Sequence, residues 1–182
     1  MKKILMLLFI ITSVPKVAAQ QEELAPWILN LDKEIENFNE RTKIKKEVVD
    51  TVNNVKTKTV WYKKKKKISK IKILFYYLEA HPAEFTYYLK NETLLKYTIS
   101  GVLPKTQKEK KGFYIFDDIT YFKNKEKAFK QSKNKRLKDV NAFYASYVEL
   151  LKLTYTIKEF EANESKKEYD RVYHLIGGLR IY

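Results

Sequence analysis

The chain has no cysteine among its 182 residues, so it can form neither a disulfide nor a thiol nucleophile. Glycine and proline are scarce, at four each, and so few glycines do not build the usual phosphate-binding loop. The sequence contains no G-x-S-x-G turn, no H-E-x-x-H pair and no EF-hand loop. These absences lower the expectation of an enzyme and favour a protein that works by binding.

Arginine is nearly missing from a strongly basic chain. The formal net charge is +15, with 37 lysines and arginines against 22 acids, and the surplus lies between residues 42 and 138 and is almost all lysine. Arginine suits bidentate recognition of phosphates and bases, whereas lysine acts as a hydrated point charge. The composition therefore disfavours specific nucleic-acid recognition and favours diffuse attraction to anionic surfaces. The alternative is compositional drift without any target.

Residues 1–19 match a secretory signal peptide. Two lysines precede an apolar stretch over residues 4–14, and Val17 to Ala19 offer small residues at a cleavage site. The apolar stretch is too short to span a membrane, and no later stretch is long enough. We expect export, cleavage near Ala19, and a periplasmic or secreted mature chain without a transmembrane segment. Losing three lysines leaves 34 basic against 22 acidic residues, a net charge of +12.

The hydrophobic periodicity predicts a single α+β domain over residues 20–182. It indicates an N-terminal helix over 20–43, an antiparallel sheet of hairpins over 44–131, and a helical C-terminal part over 132–182. Alternating segments such as "ISKIKILFYY" are typical of half-buried strands. We expect an antiparallel meander of about five to seven strands, with an N-terminal and a C-terminal helix packed on one face.

Two helical segments are predicted in the C-terminal part. Between residues 138 and 160, helical spacing puts one set of side chains on a single face: Val140, Phe143, Tyr144, Tyr147, Leu151, Thr154 and Ile157. The end of this segment, "LTYTI", is rich in β-formers and could switch to strand. A second helix carries Tyr169, Val172, Tyr173 and Ile176, and Gly177–Gly178 is expected to end it before a short strand "LRIY".

Three segments of the predicted sheet resemble one another: "TVWYKKKKKISKI", "TYYLKNETLLKY" and "ITYFKNKEKAFKQ". Each has an aromatic strand end, a short polar turn and an apolar return strand, which is typical of a β-hairpin. Over residues 57–131 the chain resembles secreted bacterial tandem-hairpin proteins, such as MORN-type repeats and β-lactamase-inhibitory proteins. The resemblance implies a curved meander used as a scaffold or binding surface, and it transfers no functional residues.

The candidate binding residues surround a run of five lysines. Aromatic rings beside cations can stack on ligands or form protein hot spots. The candidate site consists of Trp61, Tyr62, Lys63, Lys64, Lys65, Lys66, Lys67 and Tyr88. The alternative is that the lysines form a solvated hairpin tip and that the aromatic side chains fill the core.

Three functions follow from these features. The first is an exported, non-enzymatic binding or envelope-associated protein whose basic, tyrosine-rich sheet contacts an anionic polymer or an acidic protein. The second is a proteinaceous inhibitor or immunity-like protein. The third is a small hydrolase that uses Asp117 or Asp118, with His81 and Glu84 nearby. Adjacent residues of a strand point to opposite faces, so these aspartates could equally form salt bridges with lysines. We expect no cofactor and no metal.

Overall fold

The computed structural model describes residues 25–40, 42–52, 54–64, 66–78, 80–104, 112–137 and 140–179. The predicted signal peptide lies outside these residues. The helices are α1 (Pro26–Asn39), a 3-10 turn (Val140–Ala142), α2 (Phe143–Leu151) and α3 (Ala162–Leu179). The strands are β1 (Lys43–Val52), β2 (Val55–Lys64), β3 (Lys67–Tyr76), β4 (Ala83–Lys90), β5 (Thr93–Pro104), β6 (Phe113–Phe122), β7 (Ala128–Leu137) and β8 (Thr156–Glu159).

All eight strands belong to one antiparallel sheet in the order β1 to β8, so each strand pairs with its neighbour in sequence. This confirms the α+β class and the antiparallel meander, while the prediction of five to seven strands was too low. The additional strand is β8, formed by the β-rich segment after α2, which pairs with β7. The strand β7 also continues past the predicted end of the sheet, to Leu137.

One face of the sheet is apolar and lies against α3. The helix buries Tyr169, Val172 and Ile176, the spacing predicted from the sequence, and these side chains pack in one cluster with the sheet. The sheet contributes residues from six strands, β2 to β7, to this cluster: Trp61, Ile71, Ile73, Tyr87, Leu89, Leu94, Tyr97, Phe122 and Ala128. We call this the aromatic face. It is the main core of a protein that has no disulfide to hold it.

The opposite face carries α1 and α2. Lys96 and Tyr121 are cross-strand partners, and both contact Asp32 of α1, whereas the adjacent Tyr97 faces α3. Further along the same face, Leu150 of α2 joins a smaller core of Val102, Ile115 and Leu137. The helices α1 and α2 therefore share one face, as expected for the N-terminal helix and the helix near residues 138–160. The helix α3 covers the other face.

Two details of the C-terminal part differ from the prediction. Leu150 and Ser146 of α2 are buried, while Tyr144 is 74% exposed and Leu151 is 53% exposed, so the predicted apolar face of this helix points largely outward. The helix α3 also continues through Gly177 and Gly178 to Leu179. Packing of Val172 and Ile176 on the sheet stabilises the helix beyond the point where glycine propensity alone would end it. The predicted terminal strand lies outside the described residues.

Gly101 in β5 meets a geometric requirement. Its φ is +99°, a conformation that side chains with a Cβ rarely adopt. A Cβ at this position would lie 2.2 Å from the carbonyl oxygen of Pro82, in the connection between β3 and β4. The connection therefore crosses β5 so closely that only glycine fits.

We predict that Gly101→Ala destabilises the protein by about 3 kcal/mol, because it combines backbone strain with a clash against a backbone oxygen. Gly178→Ala is the matched control. A Cβ there meets nothing within 4 Å, so the variant should gain about 0.5–1 kcal/mol from helix propensity. Urea unfolding followed by circular dichroism measures both values. Equal stability of the two variants would contradict the close approach at Gly101.

Candidate functional site

The lysine run forms the tip of the β2–β3 hairpin. Lys63 and Lys64 end β2, Lys66 lies in the turn and Lys67 begins β3. Lys65 lies outside the described residues. Lys63, Lys66 and Lys67 are exposed, so water and salt screen the charges that would otherwise repel each other.

Trp61 lies in the core and not on this surface. Its side chain is 4% exposed, belongs to the cluster beneath α3, and donates its indole N–H to the carbonyl oxygen of Leu179 at 3.0 Å. A ligand would have to displace α3 to reach the ring. The sequence placed Trp61 beside the lysines along the chain, but the strand turns its side chain to the other face.

Tyr62 and Tyr88 lie on the face of the sheet that carries α1, within a row of alternating tyrosines and lysines. Tyr62 pairs with Lys70, Lys70 with Tyr88, Tyr88 with Lys96, and Lys96 with Tyr121. The ammonium of Lys70 lies 4.1 Å from the centre of the Tyr62 ring, and that of Lys96 lies 4.6 Å from the Tyr121 ring. We call this row the tyrosine–lysine ladder.

The charges along the ladder are held by specific contacts. Asp32 of α1 accepts hydrogen bonds from Lys96 at 2.6 Å and from the Tyr121 hydroxyl at 2.8 Å. Burial, followed by the hydrogen bond to Asp32, raises the pKa of Tyr121. Burial, followed by the charge of Lys72, lowers the pKa of Lys70. Asp32 therefore joins α1 to the Lys96–Tyr121 end of the ladder.

A cleft opens where α1 passes over two hairpin tips. Its volume is about 940 Å³. The helix lines it with residues that share one face at spacings of three and four: Asn30, Lys33, Glu34 and Asn37. The β2–β3 and β4–β5 tips contribute Lys64, Lys66, Lys67, Lys90 and Asn91, and the floor consists of Ile68, Ser69 and Leu89. We call this the basic cleft.

The basic cleft holds five lysines and one glutamate. Lys90 forms an ion pair with that glutamate, Glu34, across the cleft. Among the described residues, Lys33, Lys66 and Lys67 form no ion pair, so the cleft keeps an excess of positive charge. Three asparagines add amide groups that can both donate and accept hydrogen bonds.

The two aspartates considered for hydrolysis lie on opposite faces of β6. Asp117 accepts a hydrogen bond from the Tyr155 hydroxyl at 2.5 Å and lies 3.5 Å from the Lys133 ammonium. Asp118 accepts one from Ser132 at 2.5 Å and pairs with Lys130 at 2.8 Å. The two carboxylates do not converge, and each has its own lysine. This arrangement is that of two separate salt bridges.

His81 and Glu84 each contact other residues and do not join the two aspartates in one site. The ring of His81 stacks on Phe143 of α2, with 3.8 Å between the ring centres. Glu84 forms an ion pair with Lys72 at 2.8 Å and accepts a hydrogen bond from Thr86. No group of three or more histidine, aspartate and glutamate side chains suited to a metal ion occurs within the described ranges.

An exposed apolar stripe on α2 was not predicted. Tyr144, Tyr147, Val148 and Leu151 follow one another at helical spacing, and each is at least 38% exposed. The sequence signal for it was an almost wholly apolar helix, "FYASYVELL", which has more apolar residues than one buried face needs. None of the helices in the described part of the chain has the length and apolar character needed to cross a membrane.

No protein-family model, no curated protein and no solved structure matches this chain. The resemblance to tandem-hairpin proteins stays a prediction.

We predict that Trp61→Phe lowers the free energy of unfolding by about 2 kcal/mol, because it removes buried volume and leaves the Leu179 carbonyl without its partner. Tyr62→Phe is the control on the next residue and should change stability by less than about 0.5 kcal/mol, since that ring is partly exposed. Urea unfolding followed by circular dichroism compares the two. A larger loss for Tyr62→Phe would refute the placement of Trp61 in the core.

Alkaline pH should also destabilise the fold. Burial raises the pKa of Tyr87 to about 12, and burial with the hydrogen bond to Glu168 raises that of Tyr97 as well. These groups stay protonated in the folded chain but ionise near pH 10 when it unfolds. Their contribution to the free energy of unfolding is complete below about pH 10. It is lost as the pH rises towards the pKa values of these tyrosines in the folded chain. Unfolding measured at pH 8, 10 and 11 should show this decline, and Tyr97→Phe should make it shallower.

Proposed function

We propose that this protein is an exported, non-enzymatic binding protein that holds an anionic polymer of the cell envelope in the basic cleft. The observation that carries the proposal is the convergence of lysines from α1 and from two hairpin tips around one cavity. If the lysine run were only a solvated hairpin tip, the lysines of the β2–β3 hairpin would stand alone, without lysines from other elements around them. The additional contributions of Lys33 and Lys90 come from elements distant in sequence, which favours a shaped surface.

The chemistry of the cleft suits a chain of spaced negative charges that also carries hydroxyl groups. Lysines attract an anion over distances of about 8–10 Å at moderate salt and steer it towards the opening. The amides of Asn30, Asn37 and Asn91 would then hydrogen-bond to hydroxyls at short range. Ile68, which is only partly buried, gives the floor an apolar side chain against which sugar rings or methylene groups could pack.

The ion pair between Lys90 and Glu34 can open when a ligand binds in the basic cleft. The side chains of both residues are about half exposed, so the pair is weak in water. An anion that enters the cleft can therefore replace Glu34 as the partner of Lys90 with a small loss of free energy. The acidic residue also disfavours occupation of the cleft by chloride or other small anions, which cannot contact several lysines at once.

A second candidate function is an inhibitor or immunity-like protein. The observation in its favour is the exposed stripe of Tyr144, Tyr147, Val148 and Leu151 on α2, because tyrosine and apolar side chains form the centres of protein interfaces. Salt distinguishes the two candidates. Binding through apolar contacts changes little with ionic strength, whereas binding in the basic cleft weakens as salt rises.

The test of the cleft uses a fluorescently labelled heparin oligosaccharide as the anionic probe, with binding measured by anisotropy at about 50 and 300 mM salt. Replacing Lys64, Lys66 and Lys67 with glutamine should weaken binding about tenfold or more, because three charged contacts are lost. The matched control replaces Lys152, Lys166 and Lys167, which are exposed and outside the cleft. It removes the same charge and should change affinity by less than about threefold.

Two results would overturn the proposal. Equal losses in both triple variants would mean that net charge, and not the cleft, attracts the probe. Affinity that is unchanged between the two salt concentrations would exclude a charge-driven mechanism. Tyr147→Ala separates the candidates further, because loss of this exposed α2 side chain should weaken an inhibitor interface and leave probe binding in the basic cleft unchanged.

A further inference from the structure

The strand β1 forms one edge of the sheet and pairs only with β2. It is ten residues long, and Ile44 and Val49 are 59% and 56% exposed. In the described part of the chain no element pairs with its outer side. The backbone N–H of Thr51 donates to the Asp50 carboxylate at 2.7 Å. A long edge strand with exposed apolar side chains can offer its remaining outward N–H and C=O groups to another strand.

A register shift separates Ile44 from Lys46, and from Lys46 onward the side chains of β1 alternate between the two faces of the sheet. Lys46, Val48 and Asp50 pair with Trp61, Thr59 and Thr57, so they lie on the aromatic face. The intervening Glu47 and Val49 lie on the face that carries α1. A lysine and an aspartate are thus spaced symmetrically about Val48 on the same face.

This spacing makes the strand complementary to itself in one register. Two identical edge strands can pair antiparallel about a two-fold axis perpendicular to the sheet. Cross-strand partners must point to the same face, so the axis must lie where one residue faces the same residue of the other copy. An axis at Lys46, Glu47 or Asp50 would put like charges directly opposite each other. An axis at Val49 brings no opposite charges together. An axis at Val48 puts Lys46 of each copy opposite Asp50 of the other.

The backbone is compatible with the same register. Val52 and Val55 are the paired residues on either side of a two-residue turn. In such a hairpin the N–H and C=O groups of this pair bond to each other, so those of Val52 point towards β2. Alternation then directs the N–H and C=O groups of Glu47 and Val49 away from β2. About an axis at Val48 these two residues are cross-strand partners, so their free groups meet those of the second copy.

We propose that β1 pairs antiparallel with β1 of a second copy of this chain, with Val48 of one copy opposite Val48 of the other. The two eight-stranded sheets then form one continuous sheet. Two Lys46–Asp50 pairs set the register. Lys43 and Lys45, at the start of the strand, oppose pairing with other basic strands and with shifted copies. This dimer does not depend on the basic cleft or its ligand.

The first test uses the absence of cysteine from the chain. Val48→Cys puts two thiols on the axis, where opposite Cα atoms of a non-hydrogen-bonded pair lie about 4.5 Å apart, within the range of a disulfide. Under glutathione buffer the mature chain should become largely a cross-linked dimer on a non-reducing gel. Thr51→Cys is the control on the same strand, because its two copies would lie about 20 Å apart. Equal cross-linking of the two variants, or none, would overturn the proposal.

The second test reverses charges and uses sedimentation at roughly 50 µM protein and 150 mM salt. Asp50→Lys should weaken the dimer about tenfold or more, since both attractive pairs become repulsive. Adding Lys46→Asp to that variant should restore the dimer, because the pairs return with their signs exchanged. Glu36→Lys, an equal charge change on the exposed side of α1, should leave it unchanged. A monomeric wild type, a dimer insensitive to Asp50→Lys, or a double variant that stays monomeric would each refute the β1 interface.

Discussion

The packing of α3 on the aromatic face is the contact on which the other features of the fold depend. Tyr169, Val172 and Ile176 cover a surface contributed by strands β2 to β7, and the indole of Trp61 hydrogen-bonds β2 to the end of the helix. A sheet of hairpins cannot bury its own apolar face, and this chain has no disulfide to compensate. One face is thereby fixed as core. The other face carries the smaller core beneath α2, together with the tyrosine–lysine ladder and the basic cleft.

On that second face, the Asp32 carboxylate helps to position α1 and its cleft, together with the buried side chains of Ile28 and Ile35. Asp32 accepts hydrogen bonds from Lys96 and Tyr121 near the middle of the sheet, and this contact places the rest of α1 above the β2–β3 and β4–β5 tips. Buried or half-buried charges are costly unless they are paired, so the pair specifies where the helix lies more than it adds stability. The proposed binding surface therefore depends on residues that do not line it.

Much of the fold was predictable because burial leaves a period in the sequence. Alternation in β3 and helical spacing at Tyr169 and Val172 both gave the correct face. The site was less predictable, because Lys33 and Lys66 line the same cleft only through the long-range packing of α1, which no local pattern records. Trp61 was misjudged for a related reason, since adjacent residues of a strand serve opposite faces. The helix α2 misled because it is apolar on both sides, so its sequence does not tell which side is buried.

The strictly sequential strand order has a consequence for how the chain acquires its structure. Every strand pairing joins neighbours in sequence, which keeps contact order low within the sheet and favours rapid, stepwise addition of hairpins. The contacts between the helices and the sheet are long-range by contrast, and the hydrogen bond from Trp61 to Leu179 joins residues 118 positions apart. A nascent chain could thus assemble most of its sheet while the aromatic face is still open to solvent. That interval is when aggregation, or capture by a chaperone, would compete with the closing of the core.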